Sequence, residues 1–442
     1  GNRFLLATGS KMDLGKSIGQ KQVKMGKRFH SIVCILIFSL ATNFVWGITT
    51  DKDKKYYFQR LNISNGLSQN TIHDILQDSQ GFMWFGTKDG LNRYDGLSIR
   101  VFRKEGGTLG NNFITTLYED TKGNIWVGTD AGVYVYSRET ESFRPFLVKS
   151  SENTVIMHPV TSIIGDKEGN IWISVDSQGL FCYQPEQNTL QNYLFNKSKQ
   201  TVSGNVTHFL FDQKGRCWIS IYSDNLYYTD DHFKTLKPFV SDTGDNPFKD
   251  DIINKIVAGP HQSLFVGSSK GGLKEINLQT GKVRDVLSEI KAKEPVYVRE
   301  IAFNSDDELW IGTESGLYIY TMYTGKIIHL LNDDGDNYSL SDNAIYSLYK
   351  DREGGMWIGS FFGGLNYYPK GYTYFEKFYP QGADGFKFGK RVREFCKGND
   401  GTIWIGTEDK GLFNFNPSTG RIQPFVNPKI HNNVHGLCLD GD

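Results

Sequence analysis

The chain of 442 residues carries 49 basic and 49 acidic side chains, so its formal net charge is zero. Glycine contributes 48 residues and aromatic residues make up 14% of the chain, which is enough apolar material for a large core and excludes intrinsic disorder. A composition rich in glycine and aromatic residues is typical of short strands joined by tight turns.

The neutral balance hides an uneven distribution of charge along the chain. Residues 1–47 contain seven basic side chains and one acidic side chain, which leaves 42 basic and 48 acidic side chains for the other 395 residues. A mildly acidic body without basic runs argues against nucleic acid as a ligand. It also argues against binding to an anionic membrane surface.

The first predicted element is a short apolar segment near the start of the chain. Basic residues within 24–28 precede a mostly apolar run at 31–46. A membrane-spanning helix needs about 20 residues, and this run is shorter. The pattern predicts a secretory signal with cleavage after Gly47, and an uncleaved anchor is the alternative. We assign residues 1–47 to signal and upstream sequence, with Met25 as the candidate initiator, and expect export to the periplasm.

Export would place the folded part in an oxidising compartment, where disulfides form. The cysteines after residue 47 are far apart and lack the spacing of a metal site; they are Cys182, Cys217, Cys396 and Cys438. The sequence predicts buried free thiols, and a Cys182–Cys217 bridge between neighbouring repeats is the alternative. We expect neither a metal nor a cofactor.

A repeat occupies the rest of the chain. Its pattern is Asp-x-x-Gly followed by an aromatic anchor, as in Asp78, Gly81 and Trp84. The anchors are Trp84, Trp126, Trp172, Trp218, Phe265, Trp310, Trp357 and Trp404. The seven steps from residue 84 to residue 404 average about 46 residues, a period typical of β-propellers. A ninth copy begins at 433–440, so we expect the sequence to be a fragment of a longer protein.

Each repeat reads as four short strands, which we call a to d from the centre of a ring outward. Asp-x-x-Gly makes the tight turn between strands a and b, because Asp bonds to the following backbone and Gly supplies a positive φ. Strand b is apolar at consecutive positions, which predicts that both of its faces are buried between neighbouring sheets. The fifth repeat has Gly259 and Pro260 in place of this turn and Phe265 in place of Trp, which predicts a distorted turn but an intact sheet.

These residues resemble the two-component regulator propeller repeat, and the resemblance covers residues 56–442. The opening is especially similar, from Tyr57 to Ser68 and then from Asp78 to Gly96. The family forms the periplasmic sensing half of hybrid histidine kinases in polysaccharide-degrading bacteria. The resemblance implies two consecutive seven-bladed propellers, a β-sandwich, one membrane span, and kinase, receiver and DNA-binding modules further along the chain.

The predicted fold class is therefore all-β, with a seven-bladed propeller of four-stranded antiparallel blades at 56–372. Residues 373–442 are assigned to the first blades of a second, truncated propeller. Residues 56–61 are expected to supply the outer strand of the seventh blade and close the ring, and residues 374–378 to do the same in the second ring. A single eight-bladed ring is the alternative.

The loops joining strand d to strand a and strand b to strand c share one face of a propeller, which we call the mouth face. The a–b turns lie on the opposite face, the turn face, and are expected to be structural. Binding residues commonly lie on loops held by a rigid scaffold. The ligand-binding candidates on the mouth face are His73, Asn112, His158, His208, Tyr222, Asp224, Arg299, Phe361 and Phe362.

The resemblance implies a sensor that binds an oligosaccharide, works as a homodimer in the full-length protein and controls polysaccharide-utilisation genes across the membrane. No kinase motif is present in this sequence, so the fragment itself is not expected to be an enzyme or to bind nucleic acid. Contact with the membrane would come only through the signal anchor or a downstream span. The alternatives are a propeller lyase or hydrolase, to which His158, His208 and Asp224 could contribute an acid–base pair, and a purely structural or adhesive role.

Overall fold

The computed structural model of the chain describes residues 56–371 and 391–440, apart from 106–108, 150–154, 194–204, 231–232, 234, 289, 291–294 and 439. The predicted signal sequence at 1–47 and the expected closing strand at 374–378 lie outside the described residues. Within the described part, no helix is long and apolar enough to cross a membrane. The all-β fold class is confirmed, because every sheet that the structure describes has four antiparallel strands.

The strands follow the chain from blade to blade. Blade 1 contains β2 (Ile72–Gln77), β3 (Met83–Thr87), β4 (Gly90–Tyr94) and β5 (Ile99–Phe102). Blade 2 contains β6 (Ile114–Glu119), β7 (Ile125–Thr129), β8 (Gly132–Ser137) and β9 (Ser142–Pro145). Blade 3 contains β10 (Val160–Gly165), β11 (Ile171–Val175), β12 (Gly179–Gln184) and β13 (Thr189–Tyr193). Blade 4 contains β14 (Val206–Phe211), β15 (Cys217–Ile221), β16 (Leu226–Thr229) and β17 (Lys237–Pro238).

The remaining sheets follow the same plan. Blade 5 contains β18 (Ile253–Gly259), β19 (Ser263–Ser268), β20 (Leu273–Asn277) and β21 (Val283–Asp285). Blade 6 contains β22 (Val298–Phe303), β23 (Glu308–Thr313), β24 (Gly316–Thr321) and β25 (Ile327–Leu330). Blade 7 contains β26 (Ile345–Lys350), β27 (Met356–Ser360), β28 (Leu365–Tyr368) and β1 (Gln59–Leu61). An eighth sheet contains β29 (Val392–Lys397), β30 (Ile403–Thr407), β31 (Leu412–Asn416) and β32 (Arg421–Phe425).

Seven of the sheets form a closed ring. The inner strand of each blade contacts the inner strand of the next, and β26 of blade 7 contacts β2 of blade 1. The outer strand of blade 7 is β1, which pairs antiparallel with β28 and is the strand that the sequence analysis assigned to ring closure. Arg60 holds this strand in place, since its Nη2 donates to the carbonyl oxygens of Ser339 (2.9 Å), Leu340 (3.0 Å) and Asp336 (3.1 Å).

The core lies between the blades, because strand b of each blade is buried on both faces. All five residues of β3, β7, β11, β15 and β27 are buried. Trp84 and Trp310 are completely inaccessible to solvent. Each anchor tryptophan of the ring therefore fills the space between its own blade and a neighbour, and burying a large side chain of this kind stabilises the fold by about 2–3 kcal/mol.

The Asp-x-x-Gly turn is structural, as the sequence predicts, and it also positions the tryptophan. In blade 1, Asp78 Oδ1 accepts hydrogen bonds from the backbone N–H groups of Gln80 and Phe82, both at 3.0 Å. Asp78 Oδ2 accepts a hydrogen bond of 2.9 Å from Trp84 Nε1. The same indole–carboxylate bond joins Trp126 to Asp120, Trp172 to Asp166, Trp218 to Asp212 and Trp357 to Asp351. One carboxylate thus closes the turn and fixes the anchor ring.

The fifth and sixth blades depart from this plan without losing their sheets. In blade 5 a short 3-10 helix, Pro260–Gln262, replaces the turn, and its His261 has a φ of 54°. In blade 6, Trp310 Nε1 donates to Glu308 at 2.8 Å. The distorted turn predicted for the fifth repeat is therefore present.

The glycine in strand b makes room for the next blade. A Cβ on Gly86 would lie 2.7 Å from Cγ2 of Ile114, the first residue of strand a in blade 2. The group that approaches Gly86 is thus a side chain of the next blade. Blades 3 and 4 carry Ser174 and Ser220 at this position, and Ser174 Oγ donates to the carbonyl of Val206 in the next blade at 2.9 Å.

Candidate functional site

A ring of bulged residues lies near the mouth face of the propeller. In every blade the pairing of strands a and b shifts register after the first residue of strand a, so the second residue bulges and its side chain is re-aimed. These residues stand eleven positions before the anchor aromatic of their blade; they are His73, Thr115, Thr161, Thr207, Asn254, Arg299 and Tyr346.

On one side of the ring, the bulged side chains tie neighbouring blades together. Thr161 Oγ1 donates to the carbonyl of Val206 at 3.2 Å, and Thr207 Oγ1 donates to that of Ile253 at 2.8 Å. Asn254 Nδ2 likewise donates to the carbonyl of Val298 at 2.7 Å. Blades 3 to 5 therefore use this position for structure, and their polar groups are already occupied.

On the other side, the bulged residues of blades 6 and 7 build a site of aromatic rings around a guanidinium. The guanidinium of Arg299 lies 4.4 Å from the ring centroid of Tyr297 and 4.5 Å from that of Tyr346. Arg299 Nε donates to Glu314 Oε1 at 2.6 Å, which keeps the guanidinium neutralised and in place. Burial raises the pKa of Tyr346, so its hydroxyl stays protonated.

The aromatic surface continues onto the loop between β27 and β28. The ring centroids of Tyr346 and Phe361 lie 4.9 Å apart, and those of Phe361 and Phe362 lie 4.4 Å apart. Lys88 Nζ, from the b–c loop of blade 1, lies 4.8 Å from the centroid of Phe361. Phe362 is 72% exposed. We call this set the mouth cluster: Tyr297, Arg299, Tyr346, Phe361, Phe362, Lys88 and His73.

His73 forms the inner edge of the mouth cluster. Its ring stacks on Phe113 with centroids 5.0 Å apart, and its Nε2 is buried without a hydrogen-bond partner. Burial, followed by the nearby charges of Lys88 and Arg299, lowers the pKa of His73 to about 4. The imidazole is therefore neutral at physiological pH and adds an apolar, uncharged surface beside the two cations.

Beneath the bulges, the third residues of strand a place charges inside the ring. Lys255 Nζ lies 2.9 Å from Glu300 Oε1, and Asp74 Oδ2 accepts a 2.7 Å hydrogen bond from the N–H of Leu117. Burial raises the pKa of both carboxyls, while Lys255 acts in the opposite direction on each. His208 lies in the same layer with its Nδ1 unpartnered, and burial holds its pKa well below the usual range.

Three of the candidates lie at the start of strand a and not in the loops before it. His73, His208 and Arg299 lie within strands β2, β14 and β22. The bulge adds one residue to strand a, and an alternating sequence pattern does not reveal this extra residue. These side chains therefore lie at the end of the strand, beside the channel. His73 and Arg299 still join the mouth cluster with Phe361 and Phe362, whereas His208 lies below it.

The other candidates lie elsewhere on the mouth face. Asn112 is occupied by its own loops, since its Nδ2 donates to Asp89 at 3.2 Å and its Oδ1 accepts from the N–H of Lys104 at 2.8 Å. His158 is exposed in the loop before blade 3 and Tyr222 is exposed in the b–c loop of blade 4. Asp224 Oδ2 accepts from the hydroxyl of Tyr227 at 3.0 Å. These residues do not belong to the mouth cluster.

Sequence reasoning missed three members of the mouth cluster, Tyr297, Tyr346 and Lys88, and also Glu314, which binds Arg299. For Tyr346 a signal existed, because it stands eleven positions before Trp357, as His73 does before Trp84. The others depend on loop geometry. The site offers stacking surfaces and hydrogen-bond donors. In the part of the chain that the structure describes, no group of three His, Cys, Asp or Glu side chains could hold a metal ion.

Comparison with known sequences finds one family of repeats in the chain. Residues 66–89, 108–131 and 339–362 match the two-component regulator propeller model. Three segments of the chain are therefore similar to the two-component regulator propeller repeat. Each of the three matched regulator propeller segments runs from the d–a loop through strand a and the turn to the end of strand b. In the structure these segments contribute His73, Tyr346 and Phe361 to the mouth cluster.

Known structures carry similar propellers. The extracellular domain of a hybrid two-component system from B. thetaiotaomicron has a TM-score of 0.66 and 26% identity, over 84% of this chain and 49% of that chain. This chain therefore spans about half the length of that relative. A 52-residue stretch, 12% of this chain and 4% of the relative, is 38% identical to histidine kinase P4 of Formosa agariphila. This chain is therefore similar to the extracellular domain of a two-component sensor.

One structurally similar protein is an enzyme, and the similarity shows only a shared fold. Virginiamycin B lyase from Staphylococcus aureus has a TM-score of 0.55 and 12% identity, over 71% of this chain and 99% of the lyase. The residues considered for an acid–base pair do not meet here, because Asp224 bonds to Tyr227 and His208 has an unpartnered Nδ1 within the channel.

Proposed function

We propose that this chain is the periplasmic ligand-sensing region of a hybrid two-component sensor and that the mouth cluster binds an oligosaccharide. The observation that carries the proposal is the run of aromatic rings from Tyr346 through Phe361 to the exposed Phe362. The guanidinium of Arg299 lies against Tyr346 and Tyr297, and Lys88 lies against Phe361. A site of this kind combines apolar surface with a few fixed polar groups, which is typical of ligand pockets.

The chemistry of the cluster suits a sugar. Pyranose rings present apolar C–H faces, which stack on aromatic side chains, and hydroxyl groups around their edges. Lys88 and Arg299 supply hydrogen-bond donors at the rim, and Arg299 is held in a fixed position by Glu314 and two aromatic rings. A preorganised surface loses little conformational entropy when a ligand binds.

Ligand binding would be transmitted as a shift in the populations of two conformations of the propeller. A ligand shifts a conformational equilibrium only if it binds two states with different affinity. The mouth cluster joins residues of blades 6, 7 and 1, so a bound sugar would favour one arrangement of these blades. In the full-length protein, which we propose is a homodimer, this preference would cross the membrane to the kinase and control polysaccharide-utilisation genes.

Titration calorimetry with a panel of plant, host and microbial oligosaccharides tests the site. We expect one sugar class to bind the wild-type chain and Phe361→Ala to weaken its binding at least ten-fold, about 1.4 kcal/mol. Tyr323→Ala is the matched control, because Tyr323 is 89% exposed between β24 and β25 on the opposite face. Equal affinity of wild type and Phe361→Ala, or no binding across the panel, would contradict the proposal.

We also propose that the eighth sheet begins a second propeller. Val392 and Phe395 are 41% and 66% exposed, whereas their register equivalents in blade 1, Ile72 and Ile75, are 0% and 3% exposed. A Cβ on Gly406 would lie 2.8 Å from Val434, just as Gly86 meets Ile114 in the ring. The ninth copy thus already packs on the eighth sheet as one blade packs on the next.

Hydrogen exchange tests this second ring. In a longer chain with further repeats, the amides of β29 should exchange more slowly than in this chain, because a neighbouring blade would cover Val392 and Phe395. The amides of β2 serve as the internal control and should be unchanged. Equal exchange of β29 in the two chains would contradict the proposal.

A further inference from the structure

One of the two cations of the mouth cluster has no counter-ion. Lys88 lies in the two-residue loop between β3 and β4, and its Nζ is 4.8 Å from the ring centroid of Phe361. Among the residues that the structure describes, no hydrogen bond or ion pair engages this ammonium. Arg299 differs, because it forms an ion pair with Glu314. The ammonium of Lys88 is therefore positioned by an aromatic face and free to pair with a charged group of a ligand.

Two carboxylates close to Lys88 in the chain or in the fold are bound to other groups. Asp89, the next residue along the chain, accepts a hydrogen bond of 2.8 Å from Arg103 Nη2. Asp342 Oδ2 accepts a hydrogen bond of 2.8 Å from the backbone N–H of Phe362 and so bonds within its own blade. Neither carboxylate serves as the counter-ion of Lys88.

His73 reports the sign of the local potential. Its ring centroid lies 6.3 Å from that of Tyr346, so it belongs to the same surface. Burial lowers the pKa of His73 most, and the positive charges of Lys88 and Arg299 lower it further. The charges that act on this imidazole are thus both positive, and an anion placed beside it would be attracted. The mouth cluster is electropositive although residues 48–442 carry 48 acidic and only 42 basic side chains.

We infer that the mouth cluster selects an anionic oligosaccharide and that Lys88 forms an ion pair with a carboxylate or sulfate group of the sugar. The inference rests on the proposed function, because it takes the mouth cluster as the sugar site. A sugar ring stacked on the exposed Phe362 would bring its substituents toward Lys88, since Phe361 lies between them with its centroid 4.4 Å from that of Phe362. A neutral sugar would leave the ammonium with water alone, whereas an anionic group adds a charge-assisted hydrogen bond.

Calorimetric titration with matched pairs of sugars tests the ligand class. One arm uses oligosaccharides cut from galacturonan, alginate and hyaluronan, each with its carboxyl-reduced counterpart. The other arm uses oligosaccharides cut from carrageenan and sulfated fucan, each with its desulfated counterpart. We expect an anionic sugar of one arm to bind about ten-fold more tightly than its neutral counterpart and to lose affinity with added salt. The arm that responds identifies the charged group as carboxylate or sulfate.

Variants of Lys88 test the location. Lys88→Met removes the charge and keeps the length of the side chain, whereas Lys88→Arg keeps the charge. Lys104→Met is the matched control, because Lys104 is an exposed lysine on the loop after β5 and outside the mouth cluster. We expect Lys88→Met to weaken binding of the anionic sugar by about ten-fold and the other two variants to bind it as the wild type does. The neutral counterpart should bind all four proteins equally.

The outcomes separate this inference from the proposed function. Equal affinity for the anionic and neutral members of every pair, or wild-type affinity of Lys88→Met for the anionic sugar, would overturn the inference. If Phe361→Ala still weakened binding of the sugar in that case, the mouth cluster would remain the sugar site. An absence of binding by every sugar, charged or neutral, would overturn both. Lys88 is exposed, so its variants should unfold at the wild-type temperature, which confirms that they are folded.

Discussion

Replacing Trp84 with alanine should lower the free energy of unfolding by about 3–5 kcal/mol, the range seen when a large aromatic side chain is removed from a core. Trp84 is fully buried and packs against Tyr136 of the next blade with centroids 5.1 Å apart. The loss has two parts, because the substitution opens a cavity between blades and also leaves Asp78 Oδ2 without the indole N–H. Urea denaturation of the wild type and the variant measures it.

A second variant separates the cost of the cavity from the cost of the lost hydrogen bond, and a third serves as a control. Trp84→Phe keeps most of the apolar volume and removes only the indole donor, so it should cost about 1–3 kcal/mol. Tyr323→Ala, at an exposed position on the turn face, should change stability by no more than about 0.5 kcal/mol. If Trp84→Ala were no more destabilising than Tyr323→Ala, the anchor residues would not hold the ring together.

Replacing Lys255 with methionine should lower the stability at neutral pH by about 3 kcal/mol, because it leaves the buried Glu300 carboxylate without its partner. The side chains of Lys255 and Glu300 are only 28% and 15% exposed, so water cannot fully replace the lost interaction. The double variant Lys255→Met/Glu300→Leu removes both charges and should regain most of the stability. A double variant as unstable as Lys255→Met would contradict this account.

The pH dependence of Lys255→Met follows from the same charges. Lys255 lowers the pKa of Asp74 and Glu300 against the effect of burial, so its removal should raise both values further. A carboxyl whose folded pKa lies above its unfolded value contributes stability at low pH, which is lost as the pH rises through the folded pKa. The penalty of the substitution should therefore be smallest near about pH 4 and largest near about pH 8. Thermal unfolding across this range measures it.

Sequence reasoning predicted the repeat, the strands and the closing strand because each depends on local pattern. The spacing of Asp78, Gly81 and Trp84 specifies one turn and one buried strand, and its recurrence specifies a ring of similar sheets. The sequence also marked Phe361 and Phe362, since two adjacent aromatic residues in a b–c loop depart from the repeat. It did not mark the dual role of Asp78, whose second oxygen reaches the indole only when the hairpin is folded.

The mouth cluster was harder to predict because its members come from opposite ends of the propeller sequence. Tyr297 and Glu314 look like ordinary loop residues in isolation, and their importance depends on Arg299 projecting from a bulge between them. Register shifts of this kind arise from the pairing of two strands, so a single strand's pattern carries little sign of them.

The amino-acid order alone therefore specifies the building unit: a four-stranded blade with a carboxylate-capped turn and an aromatic anchor, repeated along the chain. Closure of the ring determines which distant side chains come into contact. Thr71 Oγ1 donates to the carbonyl of Phe361 at 2.6 Å although the two residues are 290 positions apart, because β1 returns the start of the chain to blade 7. Closure brings blade 1 against blade 7, which also contacts blade 6, and so gathers the cations and aromatic rings of the mouth cluster. Local pattern encodes a blade, whereas a site shared by several blades exists only after the long-range strand pairing that closes the ring.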